Sequence, residues 1–285
     1  MMRNKSFAVF IVSHGRADNV MTYRTLKHSG YTGRTYIIID NEDDQREEYV
    51  KRFGKGNVIV FDKKAWKEKT DSMDNLPERN VVVYARNACF QIARDLGLRF
   101  FLVLDDDYSQ LVHRFRDNVF ISSVPTKKID TIFDIYVDFL NTTPCKTISF
   151  AQGGDYIGGI QGEAKKVFMK RKSMNSFFCD TEKPFMFMGR INEDVNAYVT
   201  YGKRGDLFFQ PNVFMLNQAA TQQNRGGLTD AYLRFGTYAK SFYTILDNPS
   251  CVKITMMGET NRRLHHRITW KLAVPRILNE KWRKA

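Results

Sequence analysis

The first hundred residues alternate short apolar runs with amphipathic segments, and this alternation limits the fold more than any other feature of the sequence. The apolar runs Phe7–Val12 and Phe100–Leu104 are continuous, which is typical of strands buried on both faces of a sheet. The segments Asn19–Ser29 and Tyr84–Leu96 have helical spacing, and a glycine follows each of them. Repeated strand–helix units predict an α/β fold with a mostly parallel sheet, helices on both faces, and ligands at the carboxyl ends of the strands.

Other segments extend this predicted sheet. Tyr36–Ile39 and Val58–Phe61 are predicted strands, and Asp44–Arg52 is a predicted polar helix. Lys63–Arg79 is charged and irregular, so we expect a mobile loop there.

The pattern changes after the acidic triplet that ends the fourth predicted strand. Thr131–Leu140 and Asn192–Tyr201 have helical spacing, and the glycine-rich stretch from Gln152 to Gly162 predicts a loop or hairpin. Short strands of mixed orientation are predicted at Thr147–Phe150, Val167–Met169, Phe185–Met188 and Leu207–Phe209. We expect one domain over residues 1–258, with halves 1–110 and 111–258, followed by a basic helical segment over residues 259–285.

Composition excludes several classes of protein. Hydrophobic residues make up 43% of 285 residues, which excludes a disordered or collagen-like chain. The apolar runs are far shorter than the about 20 residues that a membrane helix needs, so no membrane partner is expected. The four cysteines are scattered without metal-ligand spacing, which is typical of reduced thiols and predicts a cytoplasmic protein.

Charge is concentrated in two segments. The formal net charge is +13, from 44 Lys and Arg against 31 Asp and Glu. One cluster comprises Lys165, Lys166, Lys170, Arg171 and Lys172, and the other comprises Arg262, Arg263, Arg267, Lys271, Arg276, Lys281, Arg283 and Lys284. Patches of this kind favour a polyanion, of which nucleic acid is the commonest in a cytosol, although solvated basic helices give the same pattern.

The fourth predicted strand is followed directly by three consecutive aspartates, Asp105, Asp106 and Asp107. Alternating residues of an extended chain project to the same side, so Asp105 and Asp107, which flank Asp106, are expected to face one ligand. This arrangement suits Mg²⁺ or Mn²⁺ held by one or two carboxylates together with substrate phosphates. The alternative is a solvated acidic turn at the end of a strand.

The helix that leads into this strand begins with a basic and an amide residue. Arg86 and Asn87 are expected near the mouth of the strand, where they can reach a phosphate or a nucleobase. The order Ala-Arg-Asn, amphipathic helix, glycine, apolar strand and Asp-Asp-Asp resembles the nucleotide-sugar half of a GT-A glycosyltransferase. That resemblance implies a Rossmann-like sheet whose DxD motif holds a metal on the diphosphate of a sugar nucleotide.

The resemblance also implies roles for residues at other strand ends. The loop after the first strand, where such enzymes bind the nucleotide, contains Ser13, His14 and Arg16. The second strand ends at Asp40, in a position where an acidic residue contacts the base or ribose in such enzymes. Because a third acid is present, the resemblance does not decide which of Asp105, Asp106 and Asp107 bind the metal and which the ribose. His265 or His266 is implied as a late histidine ligand of the metal.

A later acidic motif resembles the one that faces the acceptor in this fold. An inverting transferase needs a base for the proton of the acceptor hydroxyl, and Glu193 or Asp194 is placed for that role. The alternative is an N-terminal helix cap, which Asn192 followed by two acids also satisfies.

Within the GT-A fold, the chain resembles the small phage transferases associated with TET/JBP-type base oxygenases, which glycosylate hydroxymethylated pyrimidines in DNA. The resemblance covers roughly residues 7–230 and rests on Ser13–Ala17, Ala85–Asp107 and Thr221–Leu228. It implies that Arg225, Gly226 and Gly227 belong to a lid over the diphosphate of the sugar donor.

The resemblance implies an activity and partners that agree with the charge. A UDP-sugar would donate arabinose or glucose to 5-hydroxymethylcytosine or 5-hydroxymethyluracil in double-stranded DNA, which protects phage DNA from restriction in the host cytoplasm. The expected DNA contacts are Lys170, Arg171, Lys172, Arg262, Arg263, Arg267 and Lys271. The alternatives are a GT-A transferase with a protein or glycan acceptor, a non-catalytic DNA-binding protein and, last, a metal-dependent nuclease.

Overall fold

The computed structural model describes residues 4–77, 81–162, 165–218, 236, 239–258 and 262–275. The strands of this part of the chain are β1 (Phe7–Val12), β2 (Arg34–Asp40), β3 (Val58–Phe61), β4 (Phe100–Asp105), β5 (Tyr108–Arg116), β6 (Val119–Pro125), β7 (Cys145–Ile148), β8 (Met169–Lys170), β9 (Ser176–Asp180), β10 (Leu207–Pro211), β11 (Phe214–Gln218), β12 (Val252–Met257) and β13 (Arg263–Ile268). The helices are α1 (Met21–His28), α2 (Arg46–Phe53), α3 (Lys63–Lys69), α4 (Val83–Asp95), α5 (Ile129–Thr142), α6 (Glu193–Lys203) and α7 (Ala239–Asp247).

The central sheet has eight strands in the order β3-β2-β1-β4-β9-β7-β10-β8. Strands β1 to β4 are parallel to one another, whereas β9 is antiparallel to both β4 and β7. All six residues of β1 are buried, because helices cover both faces of the sheet and a strand in that position needs no polar side. The predicted α/β fold with a mixed, mostly parallel sheet is confirmed.

Two hydrophobic cores lie on opposite faces of this sheet. Along β1, Phe7, Val9 and Ile11 belong to one core, while the alternate residues belong to the other. The first core includes residues of α5, and the second includes residues of α4 and α6. This packing fixes β1, β2 and β4 in register, so that their carboxyl ends meet at one edge of the sheet.

The predicted helices and strands of the first hundred residues are found, with one exception. The segment after β3 was expected to be a mobile loop, and that expectation is wrong for its first half. Lys63–Lys69 forms α3, and the carboxylate of Asp62 caps it by accepting a hydrogen bond from the backbone of Ala65 (2.9 Å).

In the second half, the predicted strand at Phe185–Met188 is wrong, because these residues adopt no regular structure. Phe185 and Phe187 nevertheless belong to one of the cores, which explains why the segment is apolar. A separate three-stranded sheet, in the order β11-β5-β6, follows the acidic triplet.

The predicted basic helix at the C-terminus is also wrong over the described residues. Arg263–Ile268 is β13, which pairs with β12 as an antiparallel ribbon across the expected boundary at residue 258. The physical reason is a period of two: Arg263, His265 and Arg267 alternate with Leu264, His266 and Ile268. Residues 276–285 lie outside the described part of the chain. No helix in the described ranges has the length and apolar character required to cross a membrane.

Candidate active site

A cavity of about 250 Å³ opens where the parallel strands end. Its walls include residues that follow β1, β2 and β4, because parallel strands present their carboxyl ends at one edge of the sheet. Seven residues singled out in the sequence line it: Ser13, His14, Arg16, Asp40, Asp105, Asp106 and Asp107. The fold therefore brings together side chains that are up to about ninety residues apart in sequence, such as those of Ser13 and Asp106.

A buried ion cluster forms one wall of the cavity. Asp40 accepts hydrogen bonds from His14 Nδ1 (2.7 Å) and the backbone of Glu42 (3.0 Å), and its Oδ1 lies 2.9 Å from Lys63 Nζ. Burial alone would raise the pKa of Asp40, but its hydrogen bonds with His14 and Lys63 outweigh burial and lower that pKa. Both carboxylate oxygens are thus engaged within the protein.

His14 is the more exposed partner of the His14–Asp40 pair. The hydrogen bond with Asp40 raises the pKa of His14, and it does so against the effect of burial. The side chain of His14 is 39% exposed, and because Nδ1 is bonded to Asp40, Nε2 is the ring nitrogen left for a ligand. The expected contact of Asp40 with a nucleotide stays a prediction, and His14 lies beside Asp40 in the wall of the same cavity.

Asp106 joins the ends of β1 and β4. Its carboxylate accepts hydrogen bonds from Ser13 Oγ (2.6 Å) and Arg16 Nη1 (2.7 Å). The hydroxyl of Tyr49 completes the network, since it lies 2.7 Å from Ser13 Oγ and accepts a hydrogen bond from the backbone of Arg16 (2.9 Å). Burial raises the pKa of Asp106 although the Arg16 charge and the Ser13 hydrogen bond oppose it. Asp106 holds the loop after β1 in place.

Arg86 lies inside the protein rather than at the cavity surface. It is 2% exposed, and its Nη2 is 2.9 Å from Asp105 Oδ1 while its Nη1 donates to Glu193 Oε1. The rings of Phe177 and Phe187 lie 5.0 and 5.9 Å from the guanidinium carbon. Arg86 was expected to bind a phosphate. In the structure its guanidinium instead connects Asp105 of the acidic triplet to Glu193 of the later acidic motif.

Asn87 also differs from its expected role. Its amide nitrogen donates to Thr70 Oγ1 (3.1 Å) and to the backbone oxygen of Phe187 (3.0 Å), and its oxygen accepts from the Phe187 backbone nitrogen (2.8 Å). The residue is fully buried. Asn87 therefore holds a non-regular segment of backbone and is not available to a nucleotide.

Asp107 is the member of the triplet that lacks a cationic partner among the described residues. Its carboxylate accepts a hydrogen bond from Gln218 Nε2 (3.0 Å). Burial, together with the charges of Asp105 and Asp106, raises the pKa of Asp107 to about 7. Negative charge held in this way, at the wall of a cavity, is relieved by a bound cation.

These residues fit a divalent cation that is held partly by its substrate. Over the described ranges, no three His, Cys, Asp or Glu side chains are grouped so as to hold a metal, and the metal roles expected of His265 and His266 stay predictions. His266 lies 3.4 Å from the side chain of Asn192, through its Nδ1. Asp107, with Asp105 beside it, suits Mg²⁺ or Mn²⁺ only if phosphate oxygens supply further ligands.

The later acidic motif begins α6 with unusual backbone geometry. Asn192 has a φ of 58° and its side chain makes no capping hydrogen bond, so the alternative of an asparagine helix cap is not found. The side-chain amide of Asn192 instead donates a hydrogen bond to the backbone oxygen of Lys240 (2.7 Å). Asp194 accepts a hydrogen bond from the backbone of Val195 (2.7 Å), and burial raises its pKa. Burial also raises the pKa of Glu193, despite the opposing charge of Arg86.

The two basic clusters differ in the structure. Lys170 and Lys172 both approach Asp155 Oδ1, at 3.2 and 2.5 Å, and burial lowers the pKa of the half-buried Arg171. Asp155 thus pairs with two of the five bases of the first cluster, and the expected DNA contacts of Lys170, Arg171 and Lys172 stay a prediction. By contrast, Arg262, Arg263, Arg267 and Lys271 are exposed. Arg225, Gly226 and Gly227, the expected lid, lie outside the described residues.

Four further residues of the site were not predicted from the sequence: Lys63, Tyr49, Asp43 and Gln218. Asp43 accepts a hydrogen bond from the backbone of Gly15 (2.8 Å) and so supports the loop after β1. Lys63 could have been found from Asp40, because a carboxylate at the end of a buried strand needs a cation. No comparable signal marks Gln218, since it reaches Asp107 from more than a hundred residues away.

Comparison with known proteins identifies the class of this enzyme. Residues 7–227 match the family model of the TET-associated glycosyltransferases. Because the match covers most of the chain, the protein belongs to this family and is a glycosyltransferase, as the sequence predicted. Family and sheet topology agree with the predicted GT-A class, and they overturn the alternative of a non-catalytic DNA-binding protein.

Solved structures resemble the chain at low sequence identity. A mycobacterial protein shares 9% identity at a TM-score of 0.49, with 93% of this chain and 84% of that chain covered. S. aureus TarS 1-349 in complex with UDP-GlcNAc shares 11% identity at a TM-score of 0.48, with 85% of this chain and 66% of that chain covered. The mannosyltransferase PcManGT from Pyrobaculum calidifontis, in complex with GDP-Man and Mn²⁺, shares 10% identity at a TM-score of 0.47, with 85% and 73% covered.

At such identities and scores these likenesses add no argument about the reaction, and the assignment rests on the family match. A search of curated protein sequences found no significant match.

Proposed function

We propose that this glycosyltransferase moves a sugar from a UDP-sugar to the hydroxymethyl group of a 5-hydroxymethylpyrimidine in double-stranded DNA. The observation that carries the donor half of the proposal is the cavity at the ends of β1, β2 and β4, where Asp107 has no cationic partner among the described residues. A divalent cation supplies the positive charge that this acidic wall needs, and the oxygens of a diphosphate would complete its coordination.

Different residues of the cavity would bind the nucleotide and the metal ion of the sugar donor. His14 offers Nε2 to the nucleotide, and its bond to Asp40 favours the protonated ring, which donates hydrogen bonds to carbonyl or phosphate oxygens. Asp107, with Asp105, would hold Mg²⁺ or Mn²⁺. When bound, the cation would neutralise charge on the diphosphate leaving group.

Asp194 is the preferred base for an inverting transfer. Glu193 is bonded to Arg86, whereas Asp194 contacts no cationic side chain closely enough for an ion pair among the described residues. A buried carboxylate with a raised pKa accepts a proton near neutral pH more readily than an exposed one. In the proposed step, the acceptor oxygen bonds to C1 of the sugar, the bond from C1 to the UDP oxygen breaks, and the hydroxyl proton goes to Asp194.

Two observations favour DNA as the acceptor. The family is named for its association with TET oxygenases, and the net charge of the chain is +13. A surplus of this size favours a polyanion, and the exposed bases of the C-terminal ribbon offer a place for it. A protein or glycan acceptor would not account for the net charge of +13.

One incubation tests the proposal. The protein would be mixed with Mn²⁺, a panel of UDP-sugars and duplex DNA containing 5-hydroxymethylcytosine or 5-hydroxymethyluracil, and the digested nucleosides weighed. We expect a pentose or hexose mass gain that is lost in Asp107→Asn and kept in Asp44→Asn, a matched change at an exposed carboxylate. UDP release without a gain in DNA mass would contradict the acceptor, and no consumption of any UDP-sugar would contradict the donor.

A further inference from the structure

Strands β12 and β13 form a two-stranded ribbon with a basic face. Their antiparallel register pairs Lys253 with Arg267 and Met257 with Arg263. Because side chains alternate along a strand, Lys253, Arg263 and Arg267 lie on the same face of the ribbon. All three residues are exposed.

The opposite face attaches the ribbon to the body of the enzyme. Val252 belongs to the core that includes α4 and α6, and Ile268 packs against that core. The hydroxyl of Ser241 in α7 donates to the backbone oxygen of Leu264 (3.2 Å). Anchored in this way, the ribbon presents its basic face at a fixed position.

The basic face is not neutralised by the described part of the protein. Neither β12 nor β13 contains an acidic residue, and no ion pair joins Lys253, Arg263 or Arg267 to a described carboxylate. Lys170 and Lys172 provide the contrast, since both form an ion pair with Asp155. Three clustered cations without counter-charge repel one another, and a polyanion relieves that repulsion.

The ribbon is also connected to the acidic end of α6. Asn192 precedes Glu193 and Asp194, and its side chain bonds to Thr244 of α7 (3.1 Å) and approaches His266 Nδ1 of β13 (3.4 Å). Trp270, two residues after β13, stacks on Tyr198 of α6 with ring centroids 6.0 Å apart. A ligand on the ribbon is thereby positioned relative to the proposed base.

We propose that the β12–β13 ribbon is the surface that docks duplex DNA, with Lys253, Arg263 and Arg267 on its phosphates. This inference rests on the proposed function and adds where the acceptor binds. A two-stranded ribbon is narrow enough for the major groove, which is about 12 Å wide and is where the 5-substituent of a pyrimidine lies. Strands of this length extend about 20 Å, enough to reach several phosphates along the groove.

The test compares two double variants of the full chain that remove the same charge. Arg263→Gln/Arg267→Gln alters the ribbon, and Lys51→Gln/Lys55→Gln removes two exposed lysines in and just after α2. Binding of a fluorescent 25-base-pair duplex would be measured by anisotropy from 0.05 to 0.3 M salt, with UDP binding and melting temperature as checks of folding.

The ribbon variant should bind DNA tens of fold more weakly near 0.1 M salt, because each lost phosphate contact costs about eightfold. The slope of log K against log salt should fall in magnitude by about 2, at about 0.9 for each contact. The control variant should keep the native slope within about 0.5. Unchanged melting and UDP binding would show that both variants remain folded.

Equal losses in the two variants, or no loss in either, would overturn the ribbon as the docking surface. That failure is distinct from failure of the proposed function, which is absence of sugar transfer by the native protein to hydroxymethylated DNA. If the ribbon variant loses DNA binding while the native protein transfers no sugar, the docking surface stands and the acceptor chemistry falls. If the native protein binds no duplex, both fall.

Discussion

Replacement of Arg86 by methionine tests whether the acidic triplet and the later acidic motif act as one buried unit. The guanidinium is 2% exposed and reaches Asp105 and Glu193 from the centre of the protein. Methionine keeps most of the volume beside Phe177 and Phe187 but leaves two carboxylates without their cation.

The cost is expected to be large. Removal of one partner from a buried ion pair costs about 3–5 kcal/mol. Because Asp105 reaches the cavity and stays partly hydrated, while Glu193 is 5% exposed, we expect a loss near the lower end, about 3 kcal/mol in the free energy of unfolding. Glu193 carries most of this cost.

The pH dependence of the loss identifies its cause. Without Arg86, the folded-state pKa of Glu193 rises further above its unfolded value, so the folded protein takes up a proton as the pH falls. The deficit of Arg86→Met should therefore shrink between about pH 8 and pH 5. Addition of Glu193→Gln to the variant should recover part of the loss at pH 8.

Urea unfolding followed by circular dichroism at several pH values measures these differences. Arg52→Met is the matched control, since Arg52 pairs with Glu48 on the exposed face of α2 and should cost no more than about 1 kcal/mol. A deficit for Arg86→Met that matches this control, or one that does not change with pH, would refute the reasoning.

Three further predictions concern single side chains. Asn87→Ala should lower the free energy of unfolding by about 2 kcal/mol or more, because backbone groups of Phe187 lose their hydrogen-bond partner. The control Asn57→Ala, at an exposed site, should cost less than about 1 kcal/mol. Equal urea midpoints for the two variants would contradict this prediction. Asp194→Asn should lower kcat about 100-fold or more without changing UDP binding, and a native rate would exclude it as the base. His14→Gln should lower the free energy of unfolding more at about pH 6 than at about pH 9. The pKa of His14 is raised in the folded state, so its stabilising effect is complete below the unfolded-state pKa and is lost as the pH rises through the folded-state pKa. A cost that does not change with pH would contradict the pairing with Asp40.

The sequence predicted the part of the fold that depends on local pattern. The apolar run of β1 is buried on both faces, and the helical spacing around Ala88 marks α4, so the order of strands and helices follows from periodicity. Strand order also brings the carboxyl ends together, which is why Ser13, Asp40 and Asp107 meet in one cavity.

Side-chain partners could not be predicted in the same way. Arg86 was placed correctly on its helix, but its partner Glu193 is 107 residues away in the sequence. No local pattern shows that this second carboxylate binds the guanidinium together with Asp105. Likewise, the charge of Lys170 and Lys172 is visible in the sequence, whereas their ion pairs with Asp155 are visible only in the structure.

Two errors of secondary structure arose from charge. The density of lysine after β3 concealed α3, although Asp62 was a usable cap signal. At the C-terminus the bases suggested a solvated helix, whereas the alternation from Arg263 to Ile268 indicates a strand. In both places capping and periodicity indicate the secondary structure better than charge does.

The most direct test of the account is a calorimetric titration of UDP into the protein with and without Mn²⁺. With the nucleotide in the cavity beside His14 and the cation on Asp107, UDP binding should strengthen with Mn²⁺, and this Mn²⁺ effect should be lost in Asp107→Asn. The exposed control Asp44→Asn should behave as the native protein does. Binding of UDP that is unchanged by Mn²⁺ and by Asp107→Asn, or no binding of UDP at all, would contradict the assignment of this cavity as the sugar-donor site.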